Sequence, residues 1–401
     1  MIDTLDSSIG MMVGLAIGDA LGAPIEFQAS REPENYVTEY ISGGVHNVTF
    51  GEFTDDTSMA LAMADAFIEA NDFNASLIMD NFLKWKNEGA YSPRGVMFDC
   101  GNTVYSALSK YEQDRSNPFT GSTDAMSAGN GGLMRLAPAI IAARYEREAV
   151  RYASETTRLT HGAPEAIMYS EALAKELWRQ QSLEEYSHLK HPLNMKRKEV
   201  MSGGYVKETY QASWWAFQTT DNFEDCIIKA INRGHDSDTT GAVAGMIAGA
   251  IYGYKAIPTW MIDGLQWMRN IQVAAESLYR NSIEKTSREE INKIENNLPS
   301  KAQSGQVETV EGKKCVCIHP YASYGGGSLA CWAVERQTAQ MTYDAKEPVG
   351  YVLGTCTSIE EDGSSIWFEP IKGKKFPDKV SFCGARKFSL QEIRRYDTNW
   401  Q

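Results

Sequence analysis

Two short acidic loops contain the residues of this chain that are best suited to chemistry. Residues 236–240 read Asp-Ser-Asp-Thr-Thr and residues 54–58 read Thr-Asp-Asp-Thr-Ser, and each run opens a predicted helix. Carboxylate and hydroxyl oxygens suit Mg²⁺ or Mn²⁺ better than zinc, and the positive end of a helix stabilises an ionised carboxylate. Taken singly, each loop could equally be a helix N-cap, because Asp accepts hydrogen bonds from a first turn. Two such loops, each with threonine beside the acids, favour a metal site.

We therefore predict that the two loops meet in space and share two Mg²⁺ or Mn²⁺ ions about 3.5–4 Å apart. The predicted ligands are four carboxylates and two neutral hydroxyl oxygens. They belong to Thr54, Asp55, Asp56, Asp236, Asp238 and Thr239.

Two glycine-rich segments must position these loops. Glycine recurs every fourth residue at positions 10, 14, 18 and 22, and again at 241, 245, 249 and 253. Residues four apart share one helix face, and helix interiors otherwise avoid glycine at a cost of about 1 kcal/mol each. A face without side chains lets another backbone come close. We expect two central helices, each a candidate partner for the other, with Pro24 ending the first.

The rest of the chain divides into a helical part and a strand-rich part. Helical patterns cover residues 58–70, 74–87, 103–111, 133–145, 147–158, 163–181, 206–218, 223–232 and 259–283. They predict an all-α domain over residues 1–298. Short β-type runs separated by glycine-rich turns predict a small β-rich module over residues 299–401, whose function the sequence does not reveal. Its cysteines and His319 lack the usual C-x₂-C spacing of zinc sites, so we expect strand residues there.

Charge and cysteine content exclude some functional classes. Residues 1–300 hold 26 Lys and Arg against 40 Asp and Glu, and residues 301–401 hold 13 against 12. An acidic body disfavours nucleic-acid binding, which needs concentrated basic residues. No apolar run reaches ~18 uncharged residues, and the N-terminus lacks a basic region, so we expect neither a membrane span nor a signal peptide. Only Cys100 and Cys226 precede residue 300, which fits a reducing, cytoplasmic location.

Five motifs in a fixed order carry a family resemblance. They are residues 14–22 (Gly-Leu-Ala-Ile-Gly-Asp-Ala-Leu-Gly), 54–57, 129–135 (Gly-Asn-Gly-Gly-Leu-Met-Arg), 160–161 (Thr-His) and 236–239. Together they resemble the ADP-ribosylglycohydrolase family from about residue 8 to 285. One bacterial member type removes ADP-ribose from an arginine of dinitrogenase reductase. The resemblance implies an all-α fold with a two-metal site and hydrolysis of an ADP-ribose glycosidic bond, with ADP-ribosylated arginine on protein as the first candidate.

The resemblance also implies roles for individual residues. Asp99 resembles the family acid that faces the scissile bond, Glu26 a mobile glutamate near the metals, and Asp56 a metal-bound carboxylate in catalysis. Asp99 or a metal-bound carboxylate would be the base. The glycine-rich run would offer backbone N–H groups to the diphosphate. The implied substrate-binding residues are Gly101, Asn102, Gly129, Asn130, Gly131, Gly132, Met134, His161, Tyr205 and His235, the last being glycine in many relatives.

The charges of such a reaction agree with this acidic site. Breaking the bond from ribose to a guanidinium develops positive charge on the sugar, which carboxylates stabilise while one of them activates water. Ordinary structural roles stay open for Glu26, Asp99, Met134, His161 and Tyr205. The alternatives are a non-catalytic ADP-ribose or nucleotide binder, a hydrolase of serine-linked or O-acetyl ADP-ribose, and a dinuclear phosphoesterase. The expected partner is an ADP-ribosylated protein or small conjugate, with no nucleic acid and no membrane; a monomer is plausible.

Overall fold

The computed structural model describes residues 4–182 and 195–296, together with seven strands after residue 306. Side chains are described for residues 5–179 and 195–283. The chain separates into two compact units, Met1–Ile283 and Glu284–Gln401, and each is described by itself.

Twelve α-helices lie within residues 4–182 and 195–296, and these two ranges contain no strand. In chain order they are α1 Thr4–Gly22, α2 Asp55–Ala70, α3 Ala75–Glu88, α4 Asn102–Gln113, α5 Ala137–Ile141, α6 Glu146–Arg158, α7 Pro164–Ser182, α8 Val206–Gln218, α9 Phe223–Ile231, α10 Ser237–Tyr252, α11 Thr259–Gly264 and α12 Met268–Asn296. The prediction of a helical domain is confirmed.

Two of the predicted helices are wrong in extent. The helix expected at residues 133–145 is limited to α5, because the chain is still in a turn before it. The helix expected at residues 259–283 is two helices, broken where Trp267 adopts a φ of +56°. At this break the Gln266 N–H donates to the Gly51 carbonyl at 2.9 Å, so a distant loop takes the hydrogen bond that a continuous helix would need.

Helices α1 and α10 pack backbone to backbone along their glycines, as predicted. A Cβ built on Gly14 would lie 2.8 Å from the Gly245 carbonyl carbon, and one on Gly18 would lie 2.7 Å from the Ala242 nitrogen. Real Cβ atoms essentially never come that close. The segment Leu5–Ile25 is long and apolar enough to cross a membrane, yet its whole apolar window is buried inside the fold. This pair is therefore the centre of the helical unit.

Seven strands form two antiparallel sheets in the second unit. The three-stranded sheet has the order β1 Val307–Val310, β2 Lys313–Ala322 and β3 Ser328–Val334. The four-stranded sheet has the order β4 Thr338–Thr342, β5 Tyr351–Ile359, β6 Ser365–Pro370 and β7 Arg386–Ser389. The cysteines after residue 300 and His319 are the candidate zinc ligands, and their side chains lie outside the described residues.

Candidate active site

A cavity of about 510 Å³ opens at the end of the α1–α10 pair where the acidic loops lie. Thirteen of the predicted site residues line it: Glu26, Asp55, Asp99, Gly101, Asn102, Gly129, Asn130, Gly131, Met134, His161, Asp236, Asp238 and Thr239. Residues that the sequence did not suggest also line it: Phe27, His46, Cys100, Thr103, Val104 and Gly204. The fold therefore collects segments from most of the helical unit around one cavity.

Five predicted site residues are not among those that line this cavity: Thr54, Asp56, Gly132, Tyr205 and His235. Asp56 is fully buried and meets the site through Thr239, whose hydroxyl lies 3.3 Å from the Asp56 Oδ1. Thr54 is also fully buried. Both therefore lie behind the residues that line the cavity, next to the acids of the other loop.

Tyr205 and His235 have backbone roles beside the cavity. The Tyr205 carbonyl accepts from the Glu208 N–H at 2.9 Å and so starts α8, while its side chain is 38% exposed. His235 is exposed and adopts a φ of +54°, a conformation that favours glycine. Its N–H donates to Gln28 and its carbonyl accepts from Phe27. These backbone bonds show that His235 forms part of a turn, and no contact of its side chain with the cavity lining is needed to explain its position.

The N-termini of α2 and α10 bring the acids of both loops together. Carboxylate oxygens of Asp19, Asp56 and Asp238 lie within 4.8 Å of one another, and so do those of Glu26, Asp236 and Asp238. Burial raises the pKa of Asp55, Asp56 and Asp238 well above the usual range, and the neighbouring acids raise it further. The pKa of Asp236 is raised by burial as well.

Two oxygens of this cluster are buried and have no partner. They are the Asp56 Oδ2 and the Asp238 Oδ1. A buried carboxylate oxygen without a hydrogen bond is costly, and several carboxylates sharing one site repel each other. A divalent cation would relieve both effects, because it supplies positive charge and takes hard oxygen ligands. The donor set therefore fits Mg²⁺ or Mn²⁺.

Asp19 is the main residue that the sequence interpretation left out of the site. From inside α1 it accepts the N–H of Thr54 at 2.9 Å and of Thr57 at 3.0 Å, and the hydroxyls of both at 2.8 and 2.6 Å. It thus caps α2 across space. Burial raises its pKa to about 6, against the hydrogen bonds from both threonines. With both oxygens occupied, Asp19 positions the acid-bearing turn rather than completing a cation site.

His46 joins two candidate catalytic acids. Its Nε2 lies 3.0 Å from the Glu26 Oε2 and 3.1 Å from the Asp99 Oδ1. Hydrogen bonds to Asp99 and Glu26 raise the pKa of His46 to about 10. Burial, with added repulsion from Asp99 and Asp236, raises the pKa of Glu26 to about 7 although the His46 hydrogen bond opposes it. The second oxygen of Asp99, Oδ2, is buried without a hydrogen-bond partner.

The glycine-rich run at residues 129–132 offers fewer free N–H groups than predicted. The Gly129 N–H donates to the Ser127 carbonyl at 2.8 Å, and the Asn130 N–H donates to the Gly204 carbonyl at 3.1 Å. Gly131 and Gly132 donate to no acceptor in the described part of the chain. Of these two only Gly131 lines the cavity, so one N–H is well placed for an anion.

Side chains under this run connect it to the acids. The Asn130 amide donates to the Asp236 Oδ2 and to the Thr209 hydroxyl, both at 2.8 Å. His161 lies directly beneath the glycines, and a Cβ on Gly129 would meet its Nε2 at 3.1 Å. The Thr160 hydroxyl oxygen accepts from Arg135 at 2.6 Å and lies 2.9 Å from the His161 Nδ1, so it joins the ring to the buried guanidinium.

Burial sets the charge states of this lower layer. Burial lowers the pKa of His161 to about 3, and the positive charge of Arg135 adds to the effect. Burial lowers the pKa of Arg135 to about 10, although Asp55 and Asp56 oppose the shift. At neutral pH the layer therefore presents a neutral imidazole above a buried guanidinium, and the guanidinium partly offsets the acid cluster.

A sequence model of the ADP-ribosylglycohydrolase family matches residues 1–288, which span the whole of this site. The chain belongs to the ADP-ribosylglycohydrolase family. The resemblance seen in the five sequence motifs is thereby confirmed, and the chain is an enzyme of the glycohydrolase class.

Individual relatives agree with the family match. The ADP-ribosylarginine hydrolase Tri1 of Serratia proteamaculans is 36% identical over 295 residues, which are 69% of this chain and 80% of that protein. The protein of the same name from Pseudomonas putida is 33% identical, over 69% and 78%. The ADP-ribosyl-[dinitrogen reductase] glycohydrolase of Rhodospirillum rubrum is 29% identical, over 70% and 95%. A solved "ADP-ribosylglycohydrolase-related protein complex" has a TM-score of 0.61 and 33% identity, covering 70% of this chain and 100% of that chain.

The geometry of this ADP-ribosylglycohydrolase suits its class of chemistry. Five carboxyl groups line one cavity: Glu26, Asp55, Asp99, Asp236 and Asp238. Such a cavity stabilises the positive charge that develops on a sugar during glycosidic cleavage. The acid cluster at its wall could hold metal ions.

Proposed function

We propose that this ADP-ribosylglycohydrolase releases ADP-ribose from arginine side chains of a protein, with two Mg²⁺ or Mn²⁺ ions in its acid cluster. Two relatives at 36% and 33% identity are named ADP-ribosylarginine hydrolases, and a third is named for dinitrogen reductase. The observation that carries the metal is the pair of buried, unpartnered oxygens on Asp56 and Asp238. Without a cation these oxygens would be expensive to bury.

The residues that would hold the ions come from both acidic loops. Asp55 and Asp56 would contribute from α2, and Asp236 and Asp238 from the start of α10. The Thr239 hydroxyl faces the cavity, and the Thr54 oxygen keeps a lone pair while its hydrogen is donated to Asp19. When bound, divalent cations would orient the ribose hydroxyls and offset the carboxylate charge.

Glu26 and Asp99 are the groups we assign to proton transfer. Asp99 lines the cavity and Asp56 does not, so Asp99 is better placed to take a proton from water. Glu26 has a pKa of about 7, which suits a group that delivers a proton to the leaving nitrogen at neutral pH. The water then adds to the anomeric carbon as the ribose–nitrogen bond breaks.

The diphosphate would bind at the glycine-rich run. The Gly131 N–H lines the cavity and has no acceptor among the described residues. The His161 Nε2 lies directly below, and in the tautomer that carries its proton there this neutral ring would donate to the same anion. These two donors replace the four backbone donors that the sequence predicted.

Release of ADP-ribose from an arginine-modified protein tests the proposal. We expect turnover with Mg²⁺ or Mn²⁺, little in EDTA, and near-complete loss in Asp56→Asn. Asp65→Asn is the matched control, because Asp65 is an exposed residue of the same helix and should keep wild-type activity. Activity that survives EDTA, or an active Asp56→Asn enzyme, would refute the metal site.

A substrate panel separates the remaining alternatives. The wild-type enzyme would be given arginine-linked, serine-linked and O-acetyl ADP-ribose under the same metal conditions. Release from the arginine linkage alone supports the proposal. Preferential release from another linkage would reassign the substrate, tight ADP-ribose binding without turnover would indicate a binding protein, and AMP or phosphate as product would indicate a phosphoesterase. A cytoplasmic location, a monomeric state and a separate β-rich module at residues 299–401 stay predictions.

A further inference from the structure

A short hairpin places the His46 ring between two acids of the cavity. Its Nε2 is 3.0 Å from Glu26 and 3.1 Å from Asp99, and the ligand atoms of all three residues lie within 4.8 Å of one another. The described residues that line the cavity include two histidines, His46 and His161, and no lysine or arginine. Of the two histidines, His161 is neutral. His46 is thus the N–H donor that satisfies this carboxylate pair.

We propose that His46 occupies the position that the guanidinium of the acceptor arginine takes in the substrate complex, and that the two compete for Glu26 and Asp99. This inference rests on the proposed arginine linkage. A guanidinium is planar and presents several N–H groups at once, so it can donate to both carboxylates where His46 offers one N–H. A serine or acetyl acceptor has no comparable donors. The acid pair would therefore select a cationic acceptor.

The side chain of His46 can leave without unfolding its loop. The hairpin closes on itself through two bonds between Gly43 and Val48, each at 2.8 Å. Its backbone is braced from outside by Arg94, whose Nη1 donates to the His46 carbonyl at 2.9 Å. Arg94 is itself held by two hydrogen bonds to Glu52. The His46 side chain is 22% exposed, so its ring can rotate toward solvent while the backbone stays in place.

Rotation of the ring uncovers a complete acceptor position. It frees the Glu26 Oε2 and the Asp99 Oδ1 to accept from the guanidinium, beside the Asp99 Oδ2 that is buried without a partner. Loss of the product arginine lets His46 return, so the same residue would also help to expel the product.

Calorimetry with the full chain tests the competition. The probe is methylguanidine, titrated in the presence of Mg²⁺ and ADP-ribose. His46→Ala should bind it roughly tenfold more tightly than the wild type, because the carboxyl oxygens of Glu26 and Asp99 lose their internal N–H donor. His46→Gln keeps a side-chain N–H and should stay close to the wild type. Val45→Ala is the matched control: it is the exposed neighbour in the same hairpin and should change nothing.

The outcomes are distinct from those of the functional assay. Neutral methylurea should gain no affinity in His46→Ala, which shows that the position selects positive charge and not free space. Equal or weaker methylguanidine binding in His46→Ala would overturn the inference. The titration needs no turnover, so tighter binding in a protein that fails to cleave arginine-linked ADP-ribose would support the acceptor position and refute only the reaction.

Discussion

Replacing Gly245 by alanine tests the backbone contact between α1 and α10. The new Cβ would lie 2.5 Å from the Gly14 carbonyl carbon and closer still to its oxygen. Ordinary contact begins at 3.4 Å, so the helices would have to separate by at least about 0.9 Å. Other glycine pairs between the two helices, such as Gly10 and Gly249, are equally close. A shift of the helices at one pair therefore disturbs the contacts at the others.

The expected sign is opposite to that of an ordinary helix site. In an open helix, glycine to alanine stabilises by about 1 kcal/mol. Overpacking by one methyl group costs about 1–3 kcal/mol, and here both opposing surfaces are backbone, which cannot change rotamer. At the upper end of that cost the net loss is about 2 kcal/mol, a substantial part of the roughly 5–15 kcal/mol that holds a domain folded.

Urea unfolding followed by far-ultraviolet circular dichroism measures this loss, because helices dominate that signal. Gly101→Ala is the control for stability: its added Cβ meets nothing within 4 Å, and its change should stay below about 1 kcal/mol. A Gly245→Ala protein as stable as the wild type, or more stable, would refute the close approach of the two helices.

Three further perturbations test the buried polar groups. Asp19→Ala leaves the buried N–H groups of Thr54 and Thr57 without an acceptor, so urea unfolding should show a loss of at least about 2 kcal/mol; a loss under about 0.5 would contradict the capping role. Asp56→Asn removes one of several buried like charges, so in EDTA its melting temperature should be a few degrees above that of the wild type. Added Mg²⁺ should raise the melting temperature of the wild type more than that of Asp56→Asn. Equal melting temperatures in EDTA would show that repulsion between the acids does not destabilise the fold. His161 has a pKa of about 3 in the folded protein, so below about pH 6.5 the unfolded chain binds a proton on this residue and the folded chain does not. The free energy of unfolding therefore decreases as the pH is lowered. Between about pH 7.5 and pH 5 the wild type should lose about 2 kcal/mol more than His161→Asn, and parallel stability curves would exclude this contribution.

The features that sequence predicted well are local. The glycine spacing identified α1 and α10 and their contact, because a four-residue period reports one helix face. The acid-threonine runs identified both loops, because such residues collect at helix starts. The boundaries of most other helices follow from their apolar period alone.

The features that sequence missed depend on distant partners. Asp19 is a single charge in the interior of an apolar helix, which was a usable signal, but its partners are 35 and 38 residues away. His46 lies in a loop with no periodicity, and its contact with Glu26 needs the folded loop to return 20 residues along the chain. One of the predicted N–H donors at residues 129–132 was lost for the same reason, since the Asn130 N–H pairs with Gly204.

The contact between α1 and α10 also decides where this enzyme can change. Both turns that bear the acids are held by α1 and α10, whose backbones are in contact. Asp19 of α1 accepts hydrogen bonds from the first turn of α2. Gly22 of α1 packs against α10, and a Cβ built on Gly22 would lie 2.5 Å from the Asp238 Cα. The geometry of the acid cluster is therefore set once, when the chain folds. The His46 ring, in contrast, is joined to this frame by hydrogen bonds to Glu26 and Asp99 that a side-chain rotation can break. Laboratory evolution toward new acceptors should accordingly collect substitutions at residues 41–51 and leave the glycine positions untouched.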